Sequence, residues 1–176
     1  MILGAVLAGG KSSRFGSDKA GALLHGATLL DRAIANLRSI CEKVVVVGKE
    51  GASVQTVADW PQSGMGPLGG VAGALQHARS HGFASVLTCG VDSVALPENL
   101  AGILSPPPAY IASQPVIGHW PVDALATLEA ILRGDGKHSM LQFAKAVNAS
   151  EVRPSEKPDN INTPADLAAA EARNDL

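Results

Sequence analysis

Three mainly apolar runs mark the strands of a buried sheet. Ile2 to Leu7 forms the first run, Val44 to Val47 the second and Ser85 to Cys89 the third, and each is stopped directly or within two residues by glycine. Runs without alternating polar positions are typical of strands that are covered on both faces, as in parallel sheets. The pattern therefore predicts three central, parallel strands that each end in a tight loop.

The segments between and after these runs show helical periodicity. Leu30, Ala33, Ile34 and Leu37 fall on one helical face, and Thr28 precedes them as an N-cap. Pro97 is predicted to begin a helical turn, a proline-rich break follows at 105–108, and an extended segment follows at 110–113. Further helices are predicted over 68–79, 123–133, 139–147 and 164–173. Strands that alternate with helices predict an α/β fold, with a mostly parallel sheet between two helical layers in a three-layer αβα arrangement.

Composition narrows the class of protein. The chain has 176 residues, 46% of them hydrophobic, a net charge of -2 and no lysine or arginine run. We therefore expect one domain over 1–176 that binds small molecules rather than nucleic acid, and no membrane span because no apolar segment reaches about 18 residues. Cys41 and Cys89 lack metal or disulfide spacing, which favours two buried thiols in a reducing cytoplasm.

Candidate chemistry is concentrated directly after the first strand. Residues 7–19 read LAGGKSSRFGSDK, a loop rich in glycine and hydroxyl groups with three cations, Lys11, Arg14 and Lys19. Glycines let backbone N–H groups converge on an anion, and the cations can neutralise charge that develops on a phosphoryl group. The spacing matches neither the Walker A motif nor the dinucleotide fingerprint. A flexible turn is the alternative, but this composition at the end of a buried strand favours phosphate binding.

The same segment resembles the LAGGxSxRMGxDK signature of the molybdenum cofactor guanylyltransferase family, with Phe15 where methionine is usual. Further resemblances follow in family order: Asp59, then GPLGG at 66–70, Asp92 after the third strand, and NINTP at 160–164. The resemblance spans nearly the whole chain and implies a Rossmann-like nucleotidyltransferase fold of the nucleotide-diphospho-sugar transferase type.

The resemblance also implies the roles of individual residues. Arg14, Lys19 and Asp92 are expected to take part in catalysis. The nucleotide, GTP, is expected to contact seven residues: Leu7, Ala8, Gly9, Gly10, Lys19, Asp59 and Asp92. Asp92 would also bind Mg²⁺, since it follows a strand end from which a carboxylate can reach triphosphate oxygens. An aspartate that caps a turn is the simpler alternative for Asp92 and for Asp59.

Asp59 is interpreted as the residue that reads the base. Its carboxylate could accept hydrogen bonds from guanine N1–H and the exocyclic amine, a pattern that adenine and cytosine do not offer. Two positions depart from the family. Asp92 lies in a GVDSVALP context where the family has CDxP, and Gly48-Lys49 stand where it often has asparagine, so that Lys49 could approach the ligand instead.

The second substrate is assigned to the second half of the chain. The resemblance divides the chain into a nucleotide-binding half, 1–104, and an acceptor-binding half, 105–176. It suggests a molybdopterin-type acceptor near His119, Asn160 and Asn162, and delivery by other molybdenum cofactor assembly proteins. A packed surface histidine and ordinary helix capping by the asparagine segment are the alternatives.

The expected reaction is transfer of GMP from GTP to the phosphate of molybdenum-molybdopterin, with release of pyrophosphate. Two other functions stay open at this point. One is a related nucleotidyltransferase that uses CTP or a sugar phosphate, and the other is a catalytically inactive nucleotide-binding homologue.

Overall fold

A computed structural model of the chain describes residues 1–10, 18–155 and 158–173. Its strands, numbered along the chain, are β1 (Ile2–Leu7), β2 (Leu23–Leu24), β3 (Ala27–Thr28), β4 (Lys43–Val47), β5 (Thr56–Val57), β6 (Ser85–Gly90), β7 (Ser93–Ala95), β8 (Ala109–Ile111), β9 (Gln114–Pro121), β10 (Ser150–Val152) and β11 (Asp159–Asn160). Its helices are α1 (Leu29–Arg38), α2 (Gly66–Ser80), α3 (Leu100–Ile103), α4 (Leu125–Arg133), α5 (Met140–Ala146) and α6 (Pro164–Glu171).

The central sheet has seven strands in the order β10-β8-β9-β6-β1-β4-β5. Strand β1 lies between β4 and β6 and is parallel to both, with Leu7 opposite Val47 and Gly90. The three apolar runs therefore end at the same edge of the sheet, as predicted. Strand β9 is antiparallel to its neighbours β6 and β8, whereas the other pairs of neighbouring strands are parallel. The sheet is therefore mostly parallel, as predicted.

Helices cover both faces of this sheet, which confirms the three-layer arrangement. Val44 and Val46 face the layer that contains α1, whereas Val45 and Val47 face the layer formed by α2, α4 and α5. Both halves of the chain contribute to the sheet, because β9 pairs along β6.

Helix α1 begins where the capping pattern predicts. The Thr28 hydroxyl accepts a hydrogen bond from the Asp31 backbone N–H at 3.0 Å, and the predicted apolar face of the helix is buried. The turn predicted at Pro97 is present, since the Leu100 N–H donates to the Pro97 carbonyl at 3.0 Å, and the α-helix itself begins at Leu100. Residues 114–121 form a strand that the sequence interpretation did not identify.

The last part of the chain returns to the carboxyl edge of the sheet. Strand β11 pairs with β7, directly after Asp92, and Ala170 of α6 joins a small core with Leu24, Leu29 and Ile161. This return brings residues near 160 next to the loop that follows β6. Across the described ranges, none of the helices is both long enough and apolar enough to cross a membrane.

Candidate active site

A cavity of about 300 Å³ opens at the carboxyl ends of β1, β4 and β6. This is the edge at which α/β folds bind their ligands, because loops and helix N-termini meet there. The cavity is lined by all seven residues that the sequence assigns to the nucleotide: Leu7, Ala8, Gly9, Gly10, Lys19, Asp59 and Asp92. Arg14, the remaining catalytic candidate, lies outside the described residues.

The loop after β1 is packed closely against the end of β4. Gly48 has a φ of +81°, and a Cβ atom there would lie 2.8 Å from the Gly9 Cα atom and 3.2 Å from Asp59 Oδ1. Side chains at Gly48 would therefore collide with the loop after β1. Gly48, at the position where the family often has asparagine, thus allows close contact between the backbone after β4 and the backbone at Gly9.

Asp59 is held against the N-terminal half of α2. The Trp60 backbone N–H donates to the Gly69 carbonyl at 3.0 Å, and a Cβ atom at Gly73 would lie only 2.1 Å from the Ala58 carbonyl oxygen. Helix α2 therefore needs its glycines so that residues 58–60 can approach it. Burial raises the pKa of Asp59, and a backbone hydrogen bond from Gly64 acts in the opposite direction.

Lys19 and Asp92 form an ion pair in the wall of the cavity. Lys19 Nζ lies 3.5 Å from Asp92 Oδ2, and the two side chains are 11% and 26% exposed. Lys19 begins a short 3₁₀ helix, Lys19–Gly21, whose N-cap is Asp18. The arrangement presents one cation and one carboxylate to whatever occupies the cavity, as a bound metal triphosphate requires.

The unusual sequence around Asp92 has a local explanation. A Cβ atom at Gly90 would lie 2.4 Å from Asp92 Oδ1, so glycine at that position lets the carboxylate fold back toward the end of β6. The Asp92 carbonyl also accepts a hydrogen bond from the Ile161 N–H at 3.1 Å. The loop is therefore held from the C-terminal part of the chain.

A second ion pair lies at the rim of the cavity. Lys49 Nζ contacts the carboxylate of Asp18, and this hydrogen bond lowers the pKa of Asp18 below its usual value. Asp18 lines the cavity, and Lys49 follows the end of β4. The approach of Lys49 to the site, anticipated from the sequence, takes the form of this contact with Asp18.

A second cavity of about 320 Å³ adjoins the first and shares Asp92 and Val116 with it. Asn160 lines this cavity, and its Oδ1 atom is buried without a hydrogen-bond partner among the described residues. A buried acceptor atom that lacks a donor is costly, so the Asn160 amide is incompletely satisfied by the residues that the structure describes.

Several residues of the second cavity were missed by the sequence interpretation. Gln114 donates from Nε2 to the Pro158 carbonyl at 2.8 Å and thereby ties the start of β9 to the chain just before β11. Ser139 and Met140 form part of another wall. Ser139 could have been identified from the sequence, since it is a polar residue at a predicted helix start. Gln114 could not, because Pro115 and Gly118 interrupt the hydrophobic pattern of its strand.

His119, which the sequence interpretation assigns to the acceptor, lines neither of the two cavities. It is 4% exposed and lies within β9 opposite Leu87, some residues from the carboxyl edge. Its Nδ1–H donates to the Leu104 carbonyl at 3.2 Å, and its Nε2 accepts from the Ser85 hydroxyl at 2.8 Å. Burial lowers the pKa of His119 and so favours the neutral imidazole, whose two ring nitrogens are both used in these structural hydrogen bonds.

Asn162 is also not brought to the second cavity in the described structure. Its side chain is exposed, and its backbone N–H donates to Asp166 Oδ2 at 2.9 Å. Asp166 and Thr163 form the capping box of α6. The capping alternative therefore accounts for Asn162, whereas Asn160 lies at a cavity.

The charged donor atoms around the first cavity are carboxylate oxygens, which suit Mg²⁺ better than zinc. Among the described residues there is no group of three or more His, Cys, Asp or Glu side chains that could hold a metal ion. Mg²⁺ is commonly bound by one or two carboxylates together with substrate phosphates and water, so a site based on Asp92 fits that ion.

Known proteins resemble the chain over nearly its full length. Residues 4–149 match the family described as "MobA-like NTP transferase domain". A molybdenum cofactor guanylyltransferase of Acidiphilium cryptum (strain JF-5) is 35% identical over 181 residues, which cover 95% of this chain and 92% of that protein. The protein with the same name from Rhizobium leguminosarum bv. trifolii (strain WSM2304) is 35% identical over 191 residues and covers 97% and 91% of the two chains.

The fold is also found among solved structures. Molybdopterin-guanine dinucleotide biosynthesis protein A from Archaeoglobus fulgidus superposes with a TM-score of 0.74 at 20% identity, covering 97% of each chain. At this identity the likeness shows the fold alone. With the two relatives above, it confirms the nucleotidyltransferase architecture, and the chain belongs to the molybdenum cofactor guanylyltransferase family, a group with MobA-like NTP transferase domains.

Proposed function

We propose that the chain transfers GMP from GTP to the terminal phosphate of a molybdopterin-type acceptor and releases pyrophosphate. The observation that carries the proposal is the cavity at the ends of β1, β4 and β6, around which a glycine loop, Lys19, Asp59 and Asp92 converge. Relatives at 35% identity over nearly the whole chain carry the name of this activity.

The triphosphate would lie against the loop after β1. Backbone N–H groups of Gly9 and Gly10 can approach phosphate oxygens without hindrance, and the ammonium group of Lys19 can neutralise charge that moves onto the leaving pyrophosphate. Leu7 and Ala8 complete this wall. Arg14 is proposed to act with Lys19 on the strength of the family motif.

Mg²⁺ is the metal ion that we propose, since nucleotidyltransferases of this kind generally use a divalent cation. Asp92 would hold it together with phosphate oxygens of the nucleotide. Bound there, the ion would reduce the repulsion between two anionic substrates. Lys19 Nζ, which lies 3.5 Å from Asp92 Oδ2, could then exchange this ion pair for a contact with the phosphates.

Asp59 is proposed to select guanine. Its carboxylate lies between Gly9, Gly48 and Gly70, which leaves its oxygens close to the floor of the nucleotide cavity. A carboxylate can accept both N1–H and the exocyclic amine of guanine, and such charge-assisted pairs are worth more than neutral ones. Cytosine lacks the adjacent ring N–H, so CTP would leave this carboxylate partly unpaired.

The acceptor is proposed to enter through the second cavity. Asn160 lines this cavity, and Asp92 and Val116 lie at its junction with the nucleotide cavity. This assigns nucleotide binding to residues 1–104 and acceptor binding largely to 105–176. Neither His119 nor Asn162 is part of the proposed acceptor site.

The chemical step needs positioning more than acid–base catalysis. A terminal phosphate oxygen of the acceptor attacks the α-phosphorus of GTP, a new P–O bond forms, and the bond between the α-phosphorus and the bridging oxygen breaks. The electron pair leaves with pyrophosphate. A phosphomonoester already carries about -1.5 to -2 charges at neutral pH, so no strong general base is required.

The proposal extends to the setting of the reaction. Cys41 and Cys89 are both free and buried, in keeping with the reducing cytoplasm that we propose as the compartment. Delivery of the acceptor by other molybdenum cofactor assembly proteins belongs to the same proposal and is supported by the family alone.

The test is pyrophosphate release from the purified chain with Mg²⁺, molybdopterin and each nucleoside triphosphate in turn. We expect release with GTP that requires the acceptor and stops when the metal is chelated. Lys19→Ala should lower turnover about 100-fold or more, since it removes a preorganised charge from the transition state. Lys43→Ala, at the opposite end of β4, is the control and should leave turnover unchanged.

Other outcomes would redirect the proposal. Release with CTP would keep the reaction class and overturn the assigned base, and release only with a sugar phosphate would overturn the acceptor. Measurable GTP binding without pyrophosphate release would indicate a non-catalytic nucleotide-binding protein.

A further inference from the structure

Lys49 connects the end of a central strand to the turn that carries Lys19. Its Nζ atom contacts Asp18 Oδ2, while Asp18 Oδ1 accepts a hydrogen bond from the Ala20 backbone N–H at 3.2 Å. The two carboxylate oxygens of Asp18 are thus used in different directions. One caps the 3₁₀ helix that begins at Lys19, and the other fastens that helix to the chain after β4.

The two ends of this connection differ in rigidity. Strand β4 is paired with β1 and β5, and Val44 to Val47 are buried, so the strand is fixed within the sheet. The 3₁₀ helix has three residues and one buried side chain, Ala20. A short element of this kind has little packing of its own, so its position depends on the contacts at its cap.

We propose that Lys49 is a positioning residue for the nucleotidyl transfer. By holding Asp18 it fixes the turn from which Lys19 reaches Asp92 and the nucleotide phosphates. The inference rests on the proposed function, because the consequence for turnover exists only if Lys19 serves the transferred phosphate.

Direct binding of the nucleotide by Lys49 is the competing explanation. Asp18 and Lys19 line the nucleotide cavity, whereas Lys49 is not among the lining residues in the described part of the chain. Its ammonium group is already engaged with Asp18. The contacts therefore favour an indirect role, through the orientation of Lys19.

The expected effect is modest and sensitive to salt. The Asp18 side chain is 63% exposed and that of Lys49 is 29% exposed, so the pair is partly screened by solvent. We expect Lys49→Met to lower kcat about three- to fivefold, with the KM for GTP changed less than about twofold. High salt should bring the wild-type kcat close to that of the variant, because it screens the same contact.

The experiment compares Lys49→Met with Lys49→Arg, which keeps the charge, and with Lys43→Met, at the other end of β4. Steady-state kinetics with GTP and molybdopterin give kcat and KM. A second measurement needs no nucleotide: the rate at which acetic anhydride acetylates Lys19, followed by mass spectrometry. Lys19 is 11% exposed in the free protein, and its rate should rise severalfold in Lys49→Met but not in the other two variants.

A double variant separates the two explanations. If Lys49 acts through Asp18, then Asp18→Asn should show the same loss of kcat, and adding Lys49→Met should cause little further loss. A raised KM for GTP in Lys49→Met that persists in the Asp18→Asn background, with unchanged acetylation of Lys19, would mean that Lys49 binds the nucleotide and would overturn the inference.

The outcomes for Lys49 and for the proposed function are distinguishable. A wild-type chain that releases no pyrophosphate contradicts the proposed function, and the acetylation rates then decide alone whether Lys49 positions Lys19. An active wild type with unchanged kcat and unchanged Lys19 acetylation in Lys49→Met contradicts the role of Lys49 and leaves the proposed function intact.

Discussion

Gly48→Ala is the substitution with the most specific consequence for the nucleotide cavity. The added Cβ atom would lie 2.8 Å from the Gly9 Cα atom, 3.0 Å from the Gly9 nitrogen and 3.2 Å from Asp59 Oδ1. Two of these neighbours are backbone atoms, which cannot turn aside as the end of a flexible side chain can. The substitution should therefore displace the loop after β1 or move Asp59.

Two terms contribute to the change in stability. A non-glycine residue at a φ of +81° costs about 1–2 kcal/mol, and the collision with Gly9 adds a similar amount as in other overpacked sites. The free energy of unfolding should thus fall by about 2–4 kcal/mol. Gly51→Ala is the matched control, because Gly51 has a φ of +78° but a Cβ atom there would meet no atom of the described residues within 4 Å. It should show the first term alone.

Urea unfolding of the wild type and both variants gives the stability difference, and GTP kinetics give its functional part. We expect Gly48→Ala to raise the KM for GTP at least about tenfold, since a loop shift of about 1 Å is costly for a positioned substrate. Gly51→Ala should leave KM unchanged. Equal destabilisation in the two variants, together with a wild-type KM in Gly48→Ala, would refute the argument from close packing.

Two further predictions concern titratable side chains. Asp59→Asn should lower kcat/KM for GTP about 10- to 100-fold and reduce the preference for GTP over inosine triphosphate, which lacks the exocyclic amine; an unchanged preference would contradict the assignment of the base. Since burial raises the pKa of Asp59, the KM for GTP should rise on acidification at a higher pH than an ordinary aspartate would give, and this rise should be absent in the variant. Burial also lowers the pKa of His119, so the unfolded chain binds a proton at this histidine more readily than the folded chain does. The contribution of His119 to the free energy of unfolding is therefore complete above about pH 6.5 and decreases as the pH falls below that value. Urea unfolding at several pH values should show this slope reduced by up to about 1.4 kcal/mol per pH unit in His119→Gln, while His77, whose pKa is also lowered by burial, continues to contribute. Equal slopes in the wild type and the variant would exclude His119 as a source.

The sheet was predictable because its central strands are covered on both faces. Continuous runs such as Ile2 to Leu7 have few interpretations, and the glycines that follow them locate the edge at which a ligand binds. The cavity residues were predicted by motif, and their convergence follows from the parallel register of β1, β4 and β6.

The acceptor side was harder to predict because it depends on contacts between distant parts of the chain. Strand β9 contains Pro115 and Gly118, which conceal its pattern. His119 was therefore interpreted as an acceptor contact or a packed surface histidine, whereas it is a buried strand residue. The contact between Ile161 and Asp92 joins positions 69 residues apart, and no local pattern in the sequence encodes it.

The hydrogen bond from Ile161 to the Asp92 carbonyl has a consequence for synthesis of the chain. All seven strands of the central sheet are complete by Val152, whereas the segment that braces Asp92 comes afterwards. Chains are made from the N-terminus and begin to fold as they emerge. The Asp92 loop can therefore be secured only after translation has passed Ile161, and this carboxylate is among the last groups of the cavity to be fixed in place.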